Sequence, residues 1–174
     1  MQPSQHVINV RAASRADQPQ LLELNNSAVP AVNALSVERF AHLLAQSIWV
    51  GVAERAGEPV GFLLALDQNA VYDSLNFRFF HARFDRFAYV DRVVVAPEAQ
   101  SAGVGSALYA ALFAAADAYP VTACEVNIKP SNPGSLRFHE RLGFTAVGEQ
   151  DTEGGTKRVR LLVRSINASF RSLR

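Results

Sequence analysis

The stretch Tyr89–Lys129 constrains the fold more than any other part of this chain. Tyr89–Val95, YVDRVVV, reads as a strand, and three consecutive valines suit one buried on both faces. Pro97 ends it. Val104–Tyr119 follows as a helix dense in alanine, whose small side chains let it lie close to a sheet, and Pro120 ends that helix in turn. Val121–Lys129 is the next strand. A strand, a helix and a second strand of these lengths form a crossover, which makes the two strands parallel. The predicted fold is α/β, with a parallel pair inside a mixed sheet.

The flanking segments supply the rest. His6–Arg11 alternates enough to be a first strand. Ser14 or Asp17 caps a helix through Leu21, Leu22 and Leu24 that ends near Asn25-Asn26. Ser36 caps a second helix, with Val37, Phe40, Leu43 and Leu44 on one face. Ile48–Glu54 and Val60–Leu66 form a hairpin about Arg55-Ala56-Gly57-Glu58. Asp67–Phe87 is rich in aromatics and arginines, with no clean period, and reads as a long excursion holding a little helix. Asn132 caps a short helix with Pro133 at its first position, and Gly143 suits its left-handed C-terminal residue. Phe144–Gln150 and Lys157–Ile166 make a last hairpin around Glu153-Gly154-Gly155. The order is β-α-α-β-β-β-α-β-α-β-β. A length of 174 residues suits one domain, residues 1–174, with its core over about 7–166 and a C-terminal tail at 167–174.

Composition narrows the class. Hydrophobic residues at 49% can fill a sizeable core, and 19% charged residues are too few for a disordered chain. A net charge of +1 gives nucleic-acid binding no electrostatic support. Cys124 is the one cysteine, so no disulfide can close within the chain, and a reducing, cytoplasmic setting is the expectation. The N-terminal MQPSQHVINV lacks the basic and apolar regions of a secretory leader, and no apolar run reaches the ~20 residues of a membrane span.

Gln100-Ser101-Ala102-Gly103-Val104-Gly105 joins the first central strand to its helix, and such a loop suits a phosphate. A helix N-terminus carries unpaired N–H groups and roughly half an elementary positive charge, and glycines let the backbone approach an anion. Two ligands compete. A dinucleotide fold uses Gly-x-Gly-x-x-Gly with an acid about 20 residues on. Glu125 stands at that distance. However, Leu108 replaces the third glycine, five residues (Ala96–Gln100) precede Ser101 where the dinucleotide turn is tight, and little chain follows Ile166.

The other ligand is coenzyme A. Gln100–Gly105 resembles the (Arg or Gln)-x-x-Gly-x-(Gly or Ala) signature of the GNAT superfamily of N-acetyltransferases. Asn132–Phe144, NPGSLRFHERLGF, resembles that family's second motif, Asn-x-x-(Ala or Ser)-x-x-(Phe or Leu)-(Tyr or His)-x-(Lys or Arg)-x-Gly-Phe. A helix and a strand separate the motifs, as in the family. The resemblance follows element order from Val7 to Ile166, with motif evidence in Tyr89–Phe144. YDSLNF and FAYVDRVVV look like a subgroup of acetyltransferases of unassigned substrate.

The resemblance implies a mixed, mostly antiparallel sheet flanked by helices, with the parallel pair splayed around the coenzyme. It implies acetyl-CoA as co-substrate, no metal, and acetyl transfer from the thioester to a primary amine by direct attack in a ternary complex. The acceptor would be a small molecule or a protein N-terminus. A coenzyme A-binding regulatory module without turnover and a dinucleotide-dependent oxidoreductase are the alternatives. In the family the loop wraps the pyrophosphate, which assigns Gln100, Ser101, Ala102, Gly103, Val104, Gly105 and Ser106 to that task. Main-chain N–H on the preceding strand, here Val93, Val94 and Val95, polarises the thioester carbonyl. Asn132, Ser135, Phe138 and His139 of the second motif complete the coenzyme site.

Acetyl transfer needs a deprotonated amine, a polarised carbonyl, a proton for the departing thiolate and alignment of both substrates. His139 stands where the family more often has tyrosine, its proposed general acid. Asn132, Ser135 and His139 are spaced i, i+3, i+7 and share a helix face. An imidazole titrates near pH ~6.5 and protonates a thiolate only while it carries the proton. Otherwise His139 is a helix histidine bonded to a nearby carbonyl. Asp91 and Arg92 interrupt an apolar strand, where charges need partners. Asp91 is an amine anchor, a base through water, or one half of an ion pair. Glu125 and Asn127 face one side of their strand and Cys124, Val126 and Ile128 the other. Glu125 is then a base or an ammonium anchor, or belongs to a solvated polar row. Cys124 reads as a small core residue. Asn25 and Asn26 border the acceptor or simply end a helix. Tyr72, Phe77, Phe79, Phe80, Phe84 and Phe87 wall an acceptor pocket, pack the excursion, or pair two subunits as a homodimer. Arg78, Arg83 and Arg86 hold an acidic acceptor or are solvated.

Overall fold

Among the described residues, seven strands form one sheet in the order β1-β2-β3-β4-β5-β7-β6. They are β1 Ile8–Ala12, β2 Trp49–Arg55, β3 Glu58–Asp67, β4 Ala88–Val95, β5 Val121–Lys129, β6 Thr145–Thr152 and β7 Lys157–Ser165. The helices are α1 Gln18–Ser27, α2 Val37–Gln46, α3 Leu75–His81, α4 Val104–Ala115 and α5 Pro133–Arg141. This computed structural model describes residues 7–165. His6 of the predicted first strand, Ile166 of the last and the 167–174 tail lie outside the described residues. The β1–β2, β2–β3, β5–β7 and β6–β7 pairs are antiparallel. The predicted parallel pair is β4 with β5, in register at Ala88↔Thr122 and Tyr89↔Ala123. No helix among the described residues is long and apolar enough to cross a membrane.

Packing divides the chain into two units. The first runs up to Leu66 and includes Asp91–Ala116. The second holds Asp67–Val90 and the residues from Asp117 onward.

In the first unit, α4 packs on β1 and β2. Leu21, Phe40, Leu43, Val52, Phe62, Leu64, Leu108 and Leu112 form its core, with the Phe40 and Phe62 rings edge to face at 6.0 Å. Ser36 caps α2 as predicted, its hydroxyl accepting the Arg39 N–H at 3.1 Å. The entry to α1 is more elaborate than one cap. Arg15–Asp17 is a short 3₁₀ turn started by Ser14, whose N–H and hydroxyl both donate to Asp17. Arg11 donates to Asp17 through two nitrogens, at 2.7 and 2.8 Å, and to Glu54 at 2.8 Å, tying β1 to both. These bonds hold the Asp17 carboxyl well below the usual carboxylate range. The β2–β3 turn places Ala56 and Gly57 at φ 55° and 84°, the two left-handed residues of a tight hairpin.

Two sequence expectations need correction here. The valines of β4 are not buried on both faces. Burial alternates: Val94 is buried and Val93 and Val95 are only half-buried. Helix α4 also stops at Ala115, four residues before Tyr119. The residue before a proline is pushed out of the helical region, and the Tyr119 hydroxyl donates to Asp67 at 2.8 Å instead.

In the second unit, β5 and β7 hold the core residues Val121, Ala123, Cys124, Val126, Val159, Leu161 and Val163. Cys124 is buried, as its apolar strand face predicts. The excursion contributes α3, the little helix expected within it. Ser74 caps it, accepting the Phe77 N–H at 3.3 Å, and it buries Phe77 and Phe80. Phe79 packs over Gly148 of β6, where a Cβ would stand 2.9 Å from the ring.

Candidate functional site

The glycine loop grows out of β4 in the first unit. A 3₁₀ turn, Pro97–Ala99, sinks Ala99 into the core and turns the chain outward. Gln100 is extended, Ser101 has φ 63° and Gly103 has φ 81°. Gly103 is the N-cap of α4. The helix's first internal bond is Ala107 N–H to the Gly103 carbonyl at 3.0 Å. The N–H groups of Gly103, Val104, Gly105 and Ser106 therefore precede the helical ladder. No side chain caps them, and no acidic residue stands in the first turn. A Cβ on Gly103 would meet nothing within 4 Å, so the space above the loop is open. The requirement for glycine there is conformational, since φ 81° strains any L side chain.

Val104 anchors the helix start, at 1% exposure. Beneath it lies Gly61 of β3. A Cβ there would stand 2.8 Å from the Val94 carbonyl oxygen, 3.0 Å from Val104 Cγ1 and 3.5 Å from Val95 Cα. The Ala96 N–H donates to the Val60 carbonyl at 2.8 Å. Gly61 thus sets the height of both the β4 end and the first turn of α4. No motif marked it.

Asp91 and Arg92 pair with each other. Arg92 Nε donates to Asp91 Oδ2 at 2.7 Å, and the two side chains are 7% and 3% exposed. Asp91 as a residue is half-exposed, so its accessible surface is main chain. Arg92 Nη1 also donates to Asn25 Oδ1 at 2.8 Å. Asn25, fully buried, donates to Asn26 Oδ1 and to the Asn33 carbonyl. Asn26 exchanges two bonds with the Leu35 backbone. The asparagines thus hold the α1–α2 connection, and Arg92 locks Asn25.

In the second unit, β5 presents Glu125 and Asn127 half-exposed, while Cys124 and Val126 are buried. The Tyr89 hydroxyl donates to Glu125, lying 3.0 and 2.9 Å from its two oxygens. The parallel register explains the contact. Tyr89 pairs with Ala123, and Glu125 lies two residues on, on the same face.

The second motif builds α5. Asn132 Oδ1 accepts the Ser135 N–H at 3.1 Å, and Gly143 takes φ 88° beyond the helix. Asn132 is exposed, Ser135 and Phe138 are half-buried and His139 is 4% exposed. His139 Nδ1 lies 2.8 Å from the Ser135 carbonyl oxygen and 3.4 Å from its hydroxyl. The Phe138 and Phe144 rings stand edge to face with the imidazole at 5.2 and 5.4 Å. Burial pushes the His139 pKa down, outweighing the Ser135 bond that raises it. Among the described residues no cluster of three or more His, Cys, Asp or Glu is placed to hold a metal ion.

Comparison with known proteins bears on this geometry. The model of the Acetyltransferase (GNAT) family matches residues 18–144. Phosphinothricin N-acetyltransferase from Streptomyces coelicolor is 45% identical over 56 residues, 32% of this chain. The match spans only a third, 33%, of that relative's length. The ribosomal-protein-S18-alanine N-acetyltransferase from Escherichia coli superposes with a TM-score of 0.70 at 17% identity, over 97% of this chain and 99% of its own. The protein yncA from Salmonella typhimurium, solved with its cofactor acetyl-CoA, superposes at 0.70 with 22% identity, over 92% and 95%. Arabidopsis thaliana NAA60, in complex with a bisubstrate analogue, gives 0.72 at 17% identity, over 94% and 100%. At these identities the structures speak to the fold.

Proposed function

We propose that this chain, which belongs to the acetyltransferase (GNAT) family, moves the acetyl group of acetyl-CoA to a primary amine by direct attack with both substrates bound. The observation that carries the proposal is the uncapped start of α4, where Gly103 at φ 81° opens four main-chain N–H groups to the space above the loop. A diphosphate satisfies those donors and complements the helix's partial positive charge, without a side-chain cation or a metal. The thioester supplies an activated acetyl group when bound.

The protein's own residues do the rest. Gln100, Ser101, Ala102, Gly103, Val104, Gly105 and Ser106 hold the pyrophosphate through main-chain groups. Main-chain N–H among Val93, Val94 and Val95 polarises the carbonyl. The half-exposure of Val93 and Val95 supports this role. Asn132, Ser135, Phe138 and His139 line the coenzyme from α5. Glu125 anchors the amine as its ammonium and takes its proton, a role supported by its half-exposed place on β5 and by the Tyr89 hydroxyl that orients its carboxylate. Asp91 acts as the partner that balances the buried charge of Arg92, since its side chain is 3% exposed and paired with the Arg92 guanidinium. His139, neutral and bonded through Nδ1, positions α5. Its single buried cysteine suits a reducing cytoplasm for this enzyme.

Titration calorimetry with coenzyme A and with NAD, followed by a primary-amine screen that reads thiol release, tests the proposal. Binding of coenzyme A but not NAD, with thiol release on amine addition, is the expected result. Coenzyme binding with no amine turned over would leave a binding module.

A further inference from the structure

We propose that Arg92 is a positioning residue for acetyl transfer: bonded to Asn25, it fixes the main chain of Val93–Val95, whose N–H groups polarise the thioester carbonyl. This rests on the acetyl-transfer proposal above and adds the group that holds its carbonyl-polarising strand in place. All the residues concerned lie in the first unit.

A buried guanidinium in an apolar strand needs a reason. Taking two charges out of water offsets much of what their attraction returns, and apolar side chains of similar volume often serve stability as well. Arg92 nonetheless sits in β4 with its side chain 7% exposed, Nε on Asp91 at 2.7 Å and Nη1 on Asn25 at 2.8 Å. The Asp91 bond joins neighbours in sequence and balances charge. The Asn25 bond joins residues 67 apart, from β4 to the last turns of α1. That end of α1 is itself fixed. Asn25 is fully buried and donates to the Asn33 carbonyl at 3.1 Å, and Asn26 exchanges bonds with the Leu35 backbone at 3.0 and 2.9 Å. Arg92 thus ties β4 to a braced point outside the sheet.

The strand needs such a tie on this side. Downstream of the valines, the Ala96 N–H donates to the Val60 carbonyl at 2.8 Å, and Gly61 lets the Val94 carbonyl lie close to β3. Upstream, the Asp91 side chain is 3% exposed while the residue is half-exposed, so its main chain reaches solvent. Main chain open to solvent is held less firmly than main chain inside a ladder. Val93–Val95 therefore lie between a main-chain clamp at Ala96 and a side-chain clamp at Arg92. Donors aimed at a developing oxyanion work when held to within about 0.5 Å of the productive place. The planar guanidinium, with donors at fixed angles, reaches Asp91 and Asn25 at once. A lysine ammonium, a point charge on a flexible stem, has no such fork.

The test reads the carbonyl directly. Acetyl-CoA isotopically labelled at its thioester carbonyl is bound to the protein, and the C=O stretch is followed by infrared difference spectroscopy. Wild type should move the band to lower frequency. Arg92→Lys should lose most of that shift, and so should Asn25→Leu, which removes the acceptor of Arg92 Nη1 but leaves the Asp91 pair. Asn25→Asp loses the same donors to Asn26 and Asn33 but keeps an oxygen for Arg92, so it should restore the shift. Asp17→Asn, which loosens the first unit at the Arg11 network, should shift the band as wild type does. With an amine turned over in the screen above, kcat should fall by about tenfold or more in Arg92→Lys and Asn25→Leu, while coenzyme A affinity by calorimetry is unchanged. Asn25→Ser, a smaller change whose hydroxyl is too short to reach Arg92, decides where either fails to fold. The full wild-type shift in these variants, or an equal loss in Asn25→Asp and Asp17→Asn, overturns the positioning role and leaves acetyl transfer standing. Acetyl-CoA that binds wild type with its band unmoved overturns the carbonyl-polarising strand and this role with it.

Discussion

His139 Nδ1 must carry a proton, because its partner 2.8 Å away is the Ser135 carbonyl oxygen, which only accepts. With the pKa pushed down by burial, the ring is neutral around pH 7, and its other nitrogen is then an acceptor. Such a ring has no proton to give a thiolate, although the sequence equally allowed a proton donor. The motif places a histidine on the right helix face. Its protonation depends on Ser135, Phe138 and Phe144 closing around it, and that is a property of packing. An imidazolium donor would impose a loss of rate as pH rises through its pKa. A neutral ring imposes none, so kcat should climb with pH as the amine deprotonates and then level. His139→Phe should cost less than the ~10²-fold of a lost general acid, and His139→Tyr should bring no gain. A pH–rate profile with an alkaline fall that vanishes in His139→Phe would restore the donor role.

At the scale of elements, caps and turn residues were legible because their physics is local. Ser36 or Asn132 bonds a backbone N–H three residues on, and a glycine at φ 81° or 88° needs no distant partner. Gly61 was not legible. Its importance comes from Val94 and Val104, more than 30 residues away, closing over it. Two substitutions separate the two glycines. Gly103→Val strains the loop and fills the mouth of the N–H cradle, so coenzyme affinity should fall by about tenfold or more while the core is untouched. Gly61→Ala must push the Val94 carbonyl and the Val104 side chain apart. It should weaken coenzyme binding by a similar factor and also destabilise the fold by about 1–3 kcal/mol. Adding Val104→Ala relieves the 3.0 Å contact but not the 2.8 Å one, so the double variant should recover part of the affinity. Calorimetry alongside thermal unfolding checks both. Coenzyme affinity unchanged in Gly61→Ala would show that Gly61 serves only the core.

For the whole molecule, the crossover rule made the parallel pair predictable, and the family's two motifs located the loop and α5. Strand register was out of reach. The Tyr89–Glu125 bond exists only because Tyr89 pairs with Ala123, and no local pattern encodes that alignment. Arg11, Asp17 and Glu54 likewise meet through the β1–β2 register, where Arg11 pairs with Val52 and Asn9 with Glu54. This network and His139 together set how stability depends on pH. The Asp17 carboxyl is depressed by Arg11, so its contribution is present above the ordinary carboxylate pKa and is lost as pH falls through the acid range. His139 is also depressed, but as a base. Below about pH 6.5 the unfolded chain takes up a proton that the buried ring refuses, so stability again falls as pH drops. Both slopes have the same sign in different windows. The melting temperature should decline in two stages, first below about pH 6.5 and again below about pH 4. His139→Phe should remove the first stage only. Asp17→Asn should flatten the second and, by weakening charge-assisted bonds worth about 2 kcal/mol, lower the neutral-pH melting temperature by about 4–8 °C. Thermal unfolding of the three proteins between pH 3.5 and 8 is the measurement. A wild-type curve that is flat from pH 8 to 5 would mean that the His139 ring accepts its proton in place.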